Sequence, residues 1–293
     1  MYDIRALYEA QTVEEALALR REHPGARLIA GGSDLLIKIR DGKLPDAELI
    51  SIRGIDSLRG VSLEADGTVR IGPLTSFTEL TRDGIIRERL RVLADAAGEV
   101  GSPQIRNIGT VGGNICNGAT SADTASTLFA LDAKLELRGG SGTRLLDIAG
   151  FYLGAGRTDV REDELLTGIL IGRESWERCH GCYIKYSMRS ALDIAVLGCS
   201  VNLRLSADGA HIDRLRLAFG VAGPVPSRCP QTELAFAGAP LGEDTARQLA
   251  RSAVSELSPR DSWRASRAFR LHVAEESAYL AFCECVRRAG GAI

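Results

Sequence analysis

The segment Thr110-Val-Gly-Gly-Asn-Ile-Cys-Asn-Gly-Ala-Thr-Ser-Ala-Asp123 is the part of the chain around which the rest is organised. Its adjacent glycines, Gly112 and Gly113, have no Cβ, so they can adopt positive φ angles and let a ligand approach the backbone closely. Thr110 and Asn114 place hydrogen-bonding side chains on either side of them. The segment predicts a binding loop for a ligand with phosphate or carbonyl oxygens, with a purely structural turn as the alternative.

A short helix is predicted directly after this segment, because apolar residues recur at helical spacing from Ala125 to Leu131. Ser121 or Asp123 could cap the first turn of this helix. The amides of that turn would then point back towards the glycine loop and favour an anionic ligand there.

A second glycine pair occurs in the segment Leu28-Ile-Ala-Gly-Gly-Ser-Asp-Leu-Leu36. An apolar strand leads into the glycines, and Ser33 and Asp34 open a helix, which is a geometry that can hold a diphosphate through backbone N–H groups. The spacing is not G-x-G-x-x-G, so it does not predict a dinucleotide-binding Rossmann domain. Two separate Gly-Gly loops suit one long ligand with a diphosphate in its middle.

These two segments carry a resemblance to a known family. AGGSDLL at residues 30–36 and TVGGNICNGATSAD at residues 110–123 resemble the flavin subunits of the molybdenum hydroxylases, and within that family the xanthine dehydrogenase FAD-binding subunits. The resemblance extends over the whole chain, including the segments Lys185–Ile194, Leu217–Val221 and Arg264–Arg270. Non-covalent binding of FAD is expected, because no candidate histidine or cysteine beside the flavin loops suggests a covalent link.

The resemblance also implies which residues contact FAD. The implied cofactor-binding residues are Leu28, Ile29, Ala30, Gly31, Gly32, Ser33, Asp34, Leu35, Val100, Thr110, Val111, Gly112, Gly113, Asn114, Asp123, Leu166 and Lys185.

Four of these positions have individual roles in the family pattern. Asp123 matches an acid that holds ribose or ribityl hydroxyls, and Lys185 matches a cation near the flavin. Val100 and Leu166 match apolar positions beside the isoalloxazine. Ordinary core packing is the alternative for Val100 and Leu166, and a surface lysine is the alternative for Lys185.

The function implied by the resemblance is electron transfer without catalytic residues or a metal site in this chain. Electrons would arrive from [2Fe-2S] clusters in one partner subunit and leave through FAD to NAD⁺, while purine hydroxylation would occur on a separate molybdopterin subunit. A related complex acting on carbon monoxide, nicotinate or an aromatic-CoA is one alternative. A non-enzymatic nucleotide-binding or CxxC metal scaffold is the other.

The CxxC motif Cys179-His-Gly-Cys182 is a weak metal signal, because no second cysteine pair follows at ribbon spacing. It also falls in the polar segment 174–182, which is expected to be a linker. A structural or incidental role is therefore the favoured interpretation.

Composition indicates a globular protein that binds neither nucleic acid nor membranes. The 293 residues carry a net charge of −2, and 45% are hydrophobic, so there is no basic surface of the kind that nucleic acids or anionic lipids require. No export signal or membrane span is expected. The odd number of cysteines, 7 in all, then favours the reducing cytoplasm.

The predicted fold class is α+β, and the family resemblance implies a two-part FAD-binding domain like that of vanillyl-alcohol oxidase. Residues 1–54 are expected to form FAD-binding subdomain 1, residues 55–174 subdomain 2, and residues 183–293 a C-terminal domain of sheet plus helices. Capping boxes at Thr12–Glu15 and Ser76–Glu79 mark two helix starts. The C-terminal strands alternate clearly, so an antiparallel sheet with one buried face is expected there.

Overall fold

The computed structural model describes residues 2–293, and its first sheet is small and parallel. The elements of this part are β1 (Ile4–Glu9), α1 (Val13–Glu22), β2 (Arg27–Ile29), α2 (Leu35–Arg40) and β3 (Ala47–Ser51). The strand order is β1-β3-β2, with β3 parallel to both neighbours. Helix α1 begins after Thr12, whose side chain accepts from the Glu15 amide as the capping box predicts. Strand β2 ends at Ile29, and only Ala30 separates it from the first glycine pair, so the sheet fixes the position of that loop.

The second sheet is antiparallel and surrounds the second glycine segment with helices. Its elements are β4 (Val61–Leu63), β5 (Val69–Ile71), α3 (Phe77–Arg82), α4 (Gly84–Arg89), α5 (Arg91–Gly98), α6 (Pro103–Ile108), α7 (Val111–Cys116), α8 (Asp123–Ala130), β6 (Lys134–Gly139), β7 (Gly142–Asp147), α9 (Ile148–Phe151), β8 (Tyr152–Gly154), β9 (Arg157–Thr158) and β10 (Leu165–Ile171). The strand order is β4-β5-β10-β6-β7, and β8 pairs with β9 separately. One hydrophobic core joins this sheet to α3, α5, α7 and α8.

The start of α8 differs from the prediction. The N-cap residue is Ala122, and no side chain caps the helix. Ser121 and Asp123 therefore do not have the capping role expected of them. The Asp123 carboxylate is instead used by the third sheet, as described below.

The third sheet forms the C-terminal part of the molecule with two long helices. Its elements are β11 (His180–Tyr186), β12 (Leu197–Leu205), β13 (Ile212–Gly220), β14 (Ser227–Arg228), α10 (Pro230–Ala235), α11 (Glu243–Ser255) and α12 (Arg267–Arg288). The strands are antiparallel in the order β11-β12-β13-β14. Strand β11 begins at His180, so the expected linker is shorter than 174–182, and Cys182 lies within the sheet.

The expectation that this sheet buries only one face was wrong. Leu203 and Leu217 face a core shared with α11 and α12. The polar residues of the opposite face are also buried, because α8 packs on them. Ser200 and Asn202 are 0% and 3% exposed, and Asn202 Nδ2 donates to the carbonyl of Ala130 at 3.4 Å. The alternating pattern was read correctly, but its polar half faces a helix and not solvent.

Candidate functional site

A cavity of about 660 Å³ lies between the first sheet and the second, where both glycine segments meet. This volume is in the range of small-molecule and cofactor pockets. Most of the residues predicted to bind the cofactor line it. They are Leu28, Ile29, Ala30, Gly31, Gly32, Ser33, Asp34, Leu35, Val100, Thr110, Gly112, Gly113, Asn114 and Leu166.

The first glycine loop offers a row of free backbone donors. In the part of the chain that the structure describes, the N–H groups from Gly31 to Leu35 donate to no protein acceptor. Gly32 has φ +73°, a left-handed conformation that side chains rarely adopt. Polar backbone groups of this kind need an outside acceptor, and consecutive amides in a turn make an anion-binding concavity. The loop therefore suits a diphosphate.

The glycines of the first loop are also required by packing. A Cβ built on Gly31 would lie 2.0 Å from the carbonyl oxygen of Ile108, which ends the helix just before the second segment. The two loops thus contact each other through backbone atoms, and any side chain at position 31 would force them apart.

The second glycine segment is a short helix and not an open loop. Gly112 and Gly113 lie in α7 and do not have positive φ angles, contrary to the expectation. Gly112 is needed because a Cβ there would lie 2.4 Å from Cβ of Pro73. Its amide donates to the Pro73 carbonyl, and the Gly113 amide donates to Oγ1 of Thr110.

The second segment can therefore contact a ligand through side chains, because its backbone amides are already bonded within the protein. The Asn114 amide is also satisfied internally, by the carbonyl of Thr110. The Thr110 hydroxyl accepts from Gly113 and keeps its own proton available for donation. The Asn114 carboxamide lines the cavity beside it.

Lys38 and Asn117 bridge the two segments, although neither was among the residues predicted to bind the cofactor. Lys38 Nζ donates to Oδ1 of Asn117 at 2.9 Å, and both residues line the cavity. Lys38 lies one helical turn beyond Asp34, so its position after a ligand loop was a usable signal. Asn117 lies within the quoted segment 110–123 and could have been found there.

Cys116 also lines the cavity, which corrects the expectation that no cysteine lies beside the flavin loops. Burial raises the pKa of its thiol to about 12. The thiol is therefore protonated at neutral pH and is a poor nucleophile.

Val111, Asp123 and Lys185 do not line the cavity. Val111 is fully buried, with its amide donating to the carbonyl of Thr75. Both carboxylate oxygens of Asp123 are taken, since Tyr183 Oη donates to Oδ1 at 2.9 Å and Lys185 Nζ donates to Oδ2 at 3.0 Å.

The buried hydrogen-bond network of Asp123, Tyr183 and Lys185 also includes a backbone carbonyl. Lys185 Nζ also donates to the carbonyl of Glu99 at 2.8 Å. Burial raises the pKa of the Asp123 carboxyl, and Lys185 and Tyr183 oppose that rise. The network connects α8 with β11 and thereby fixes the third sheet beside the site.

A smaller cleft of about 300 Å³ adjoins the cavity on the other side of Gly31. It shares Ala30, Gly31 and Thr110 with the main cavity and adds the arginines Arg53 and Arg59. Across residues 2–293, the His, Cys, Asp and Glu side chains form no group that could hold a metal ion.

The comparisons with known proteins agree with this fold. Residues 2–173 match the family described as FAD binding domain in molybdopterin dehydrogenase. Residues 182–285 match the CO dehydrogenase flavoprotein C-terminal domain. The chain thus belongs to the flavin subunits of the molybdenum hydroxylases, and FAD is its cofactor.

Individual relatives narrow the type within that family. A xanthine dehydrogenase FAD-binding subunit from Escherichia coli O157:H7 is 40% identical over 291 residues, covering 99% of each chain. The FAD-subunit of nicotinate dehydrogenase from Eubacterium barkeri is 33% identical, covering 81% of each. In the solved structure of carbon monoxide dehydrogenase from Hydrogenophaga pseudoflava, one chain superposes with a TM-score of 0.92 at 27% identity, covering 99% of both. The chain is of the xanthine dehydrogenase type.

Proposed function

We propose that this chain is the FAD-binding electron-transfer subunit of a xanthine dehydrogenase. In this proposal, electrons come from iron–sulfur clusters in a partner subunit and pass through FAD to NAD⁺, while the purine is hydroxylated on a separate molybdenum subunit. The observation that carries the substrate proposal is the 40% identity over nearly the whole chain to a xanthine dehydrogenase subunit.

In this proposal, FAD lies along the cavity. The free amides from Gly31 to Leu35 would hold the diphosphate, and Lys38, which lines the same cavity, would add a positive charge. Bound FAD supplies the redox chemistry, because it can exchange electrons both singly and in pairs. The protein positions it, and Val100 and Leu166, which are 8% and 5% exposed, give the isoalloxazine an apolar wall.

The predicted roles of Val111, Asp123 and Lys185 in binding FAD remain proposals. The ion pair between Asp123 and Lys185 makes their joint charge close to zero, so Lys185 does not act as an isolated cation. A ligand hydroxyl that bound Asp123 would have to share it with Tyr183, which now donates to one carboxylate oxygen.

The domain limits and the location of the protein are part of the same proposal. We retain residues 1–54, 55–174 and 183–293 as the units. Each contains one of the three main sheets, except that the first three residues of β11, His180 to Cys182, lie before the third unit. No helix within residues 2–293 is long and apolar enough to cross a membrane. The cysteines are free thiols, which suits a cytoplasmic setting.

A nicotinate or carbon monoxide complex is the second candidate. The similarity to the Eubacterium barkeri and Hydrogenophaga pseudoflava proteins supports it. The substrate of such a complex would bind on the molybdenum subunit, so the cavity described here serves both candidates equally.

The decisive experiment compares the chain alone with the chain co-purified with its partner subunits. Xanthine-dependent NAD⁺ reduction is expected only from the complex, because in this proposal the purine is oxidised on the separate molybdenum subunit. Turnover of xanthine by the chain alone would contradict the division of labour. A complex that oxidises nicotinate or carbon monoxide, and not purines, would support the second candidate.

A further inference from the structure

A buried hydroxyl behind the cavity wall holds the side chain of Asn114. Thr124 is the second residue of α8, and its Oγ1 lies 2.7 Å from Oδ1 of Asn114. Thr124 is 0% exposed and does not line the cavity, whereas Asn114 does. Thr124 therefore acts on the cavity only through Asn114.

This hydrogen bond decides which end of the carboxamide faces the ligand. When the Thr124 hydroxyl donates to Oδ1, the carbonyl end of Asn114 points into the protein and the Nδ2 end remains for the cavity. Among residues 2–293, no protein acceptor is bonded to that nitrogen. In the reversed orientation, the carbonyl would face the cavity and repel the phosphate and carbonyl oxygens of a ligand.

We infer that Thr124 is a positioning residue that fixes the Asn114 carboxamide so that its N–H groups donate to an oxygen of bound FAD. The inference rests on the proposed binding of FAD in this cavity. The accepting oxygen belongs either to the diphosphate or to a carbonyl of the flavin ring, since both accept hydrogen bonds in the same way. A donor that is already held in the binding orientation needs no rearrangement when the ligand binds, so the Thr124 hydroxyl contributes to affinity without touching FAD.

The neighbouring residues of α8 provide a matched control. Thr127 lies one turn further along the helix, is also 0% exposed, and forms a hydrogen bond of 2.7 Å with the hydroxyl of Ser200. Thr127→Val removes a buried hydroxyl from the same helix but does not touch Asn114. The comparison therefore separates an effect of lost protein stability on FAD binding from an effect of a misplaced Asn114 side chain.

The test measures FAD dissociation constants of the full-length, flavin-free chain by quenching of flavin fluorescence. Thr124→Val, which keeps the shape and removes the hydroxyl, should weaken FAD binding about tenfold, the value of one well-placed hydrogen bond. Thr124→Ser should stay within about twofold of the wild type, and Thr127→Val should do so even if its melting temperature falls. Asn114→Asp should bind FAD at least as weakly as Thr124→Val, because a carboxylate would then face the ligand oxygens.

Competition with ADP and with riboflavin identifies the oxygen. If Thr124→Val weakens ADP and leaves riboflavin unchanged, Asn114 donates to the diphosphate, and the opposite pattern assigns a flavin carbonyl. Wild-type FAD affinity in Thr124→Val, or retained affinity in Asn114→Asp, would overturn the inference and leave the FAD site intact. If Thr124→Val does not fold, the Asn114→Asp and Thr124→Ser results decide. No FAD uptake by the wild type would contradict the proposed function and the positioning role together.

Discussion

The ammonium group of Lys185 lies 3.0 Å from the carboxylate of Asp123, and only 6% and 9% of the two side chains are exposed. The pair joins strand β11 to the first turn of α8, so it connects the C-terminal sheet to the helix that supports the cavity. Two opposite charges this deeply buried depend on each other, because removal of either one leaves the other uncompensated.

Lys185→Met should therefore destabilise the protein by roughly 3–5 kcal/mol, the usual cost of leaving one member of a buried pair alone. The double variant Lys185→Met with Asp123→Asn also removes the unpaired carboxylate charge, so it should recover much of the lost unfolding free energy. Urea unfolding of the three proteins measures both effects. A single variant as stable as the wild type would show that the pair does not hold the two parts together.

The stability lost in Lys185→Met should also depend on pH. Burial already raises the pKa of Asp123, and without Lys185 that pKa rises further. A carboxyl with a raised pKa in the folded state contributes stability at low pH, and this contribution is lost as the pH rises through the folded-state pKa. The difference in unfolding free energy between Lys185→Met and the wild type should therefore shrink as the pH is lowered towards the pKa of an unfolded Asp. A difference that does not change with pH would show that the charge on Asp123 is not its cause.

Gly31→Ala should abolish FAD binding, because the added Cβ would lie 2.0 Å from the Ile108 carbonyl and separate the two glycine segments. Gly84→Ala is the matched control, since no atom lies within 4 Å of the Cβ built there. Flavin content after purification measures the effect. Equal flavin loss in both variants would indicate general misfolding.

An ionic link between α12 and α5 should weaken in acid. The guanidinium of Arg288 donates hydrogen bonds to the Asp95 carboxylate at 3.0 Å and to the Gly181 carbonyl at 2.7 Å. It also donates to the carboxylate of Glu284, on the same helix, at 2.7 Å. Hydrogen bonds from Arg287 and Arg288 lower the pKa of Glu284 to about 2.

A lowered carboxyl pKa adds stability that is present above pH 4.5, the ordinary value, and is lost as the pH falls towards about 2. Glu284→Gln should thus be less stable than the wild type at neutral pH, with the gap closing in acid. Melting temperatures of the two proteins across this pH range test the prediction. A stability difference that becomes larger on acidification would contradict it.

The sequence predicted elements that depend on local signals. The capping box at Ser76 begins α3, strand β10 spans Leu165–Ile171 as expected, and α12 spans Arg267–Arg288. Strand β1 was missed, because its residues are mostly exposed and only the pairing with β3 defines it. The glycines of α7 have poor helix propensity, and tertiary bonds such as that to the Pro73 carbonyl override it.

The candidate site was also predictable from the sequence only in part. The two glycine segments are visible in sequence, because glycine pairs beside strands and polar residues have a recognisable pattern. The contact of Lys38 with Asn117 and that of Thr124 with Asn114 join residues on separate elements, so only the folded structure reveals them. The same holds for Asp123, whose carboxylate was assigned to a ligand and is shared with Tyr183 and Lys185.

The central claim is that the cavity between the two glycine segments binds one intact FAD through the free amides from Gly31 to Leu35. The most direct measurement is to heat-denature the protein purified with its partners and identify the released flavin by chromatography. Because the amide row suits a diphosphate and the cavity has the volume of a cofactor pocket, FAD is expected at about one molecule per chain. Release of FMN alone, or of no flavin, would contradict it.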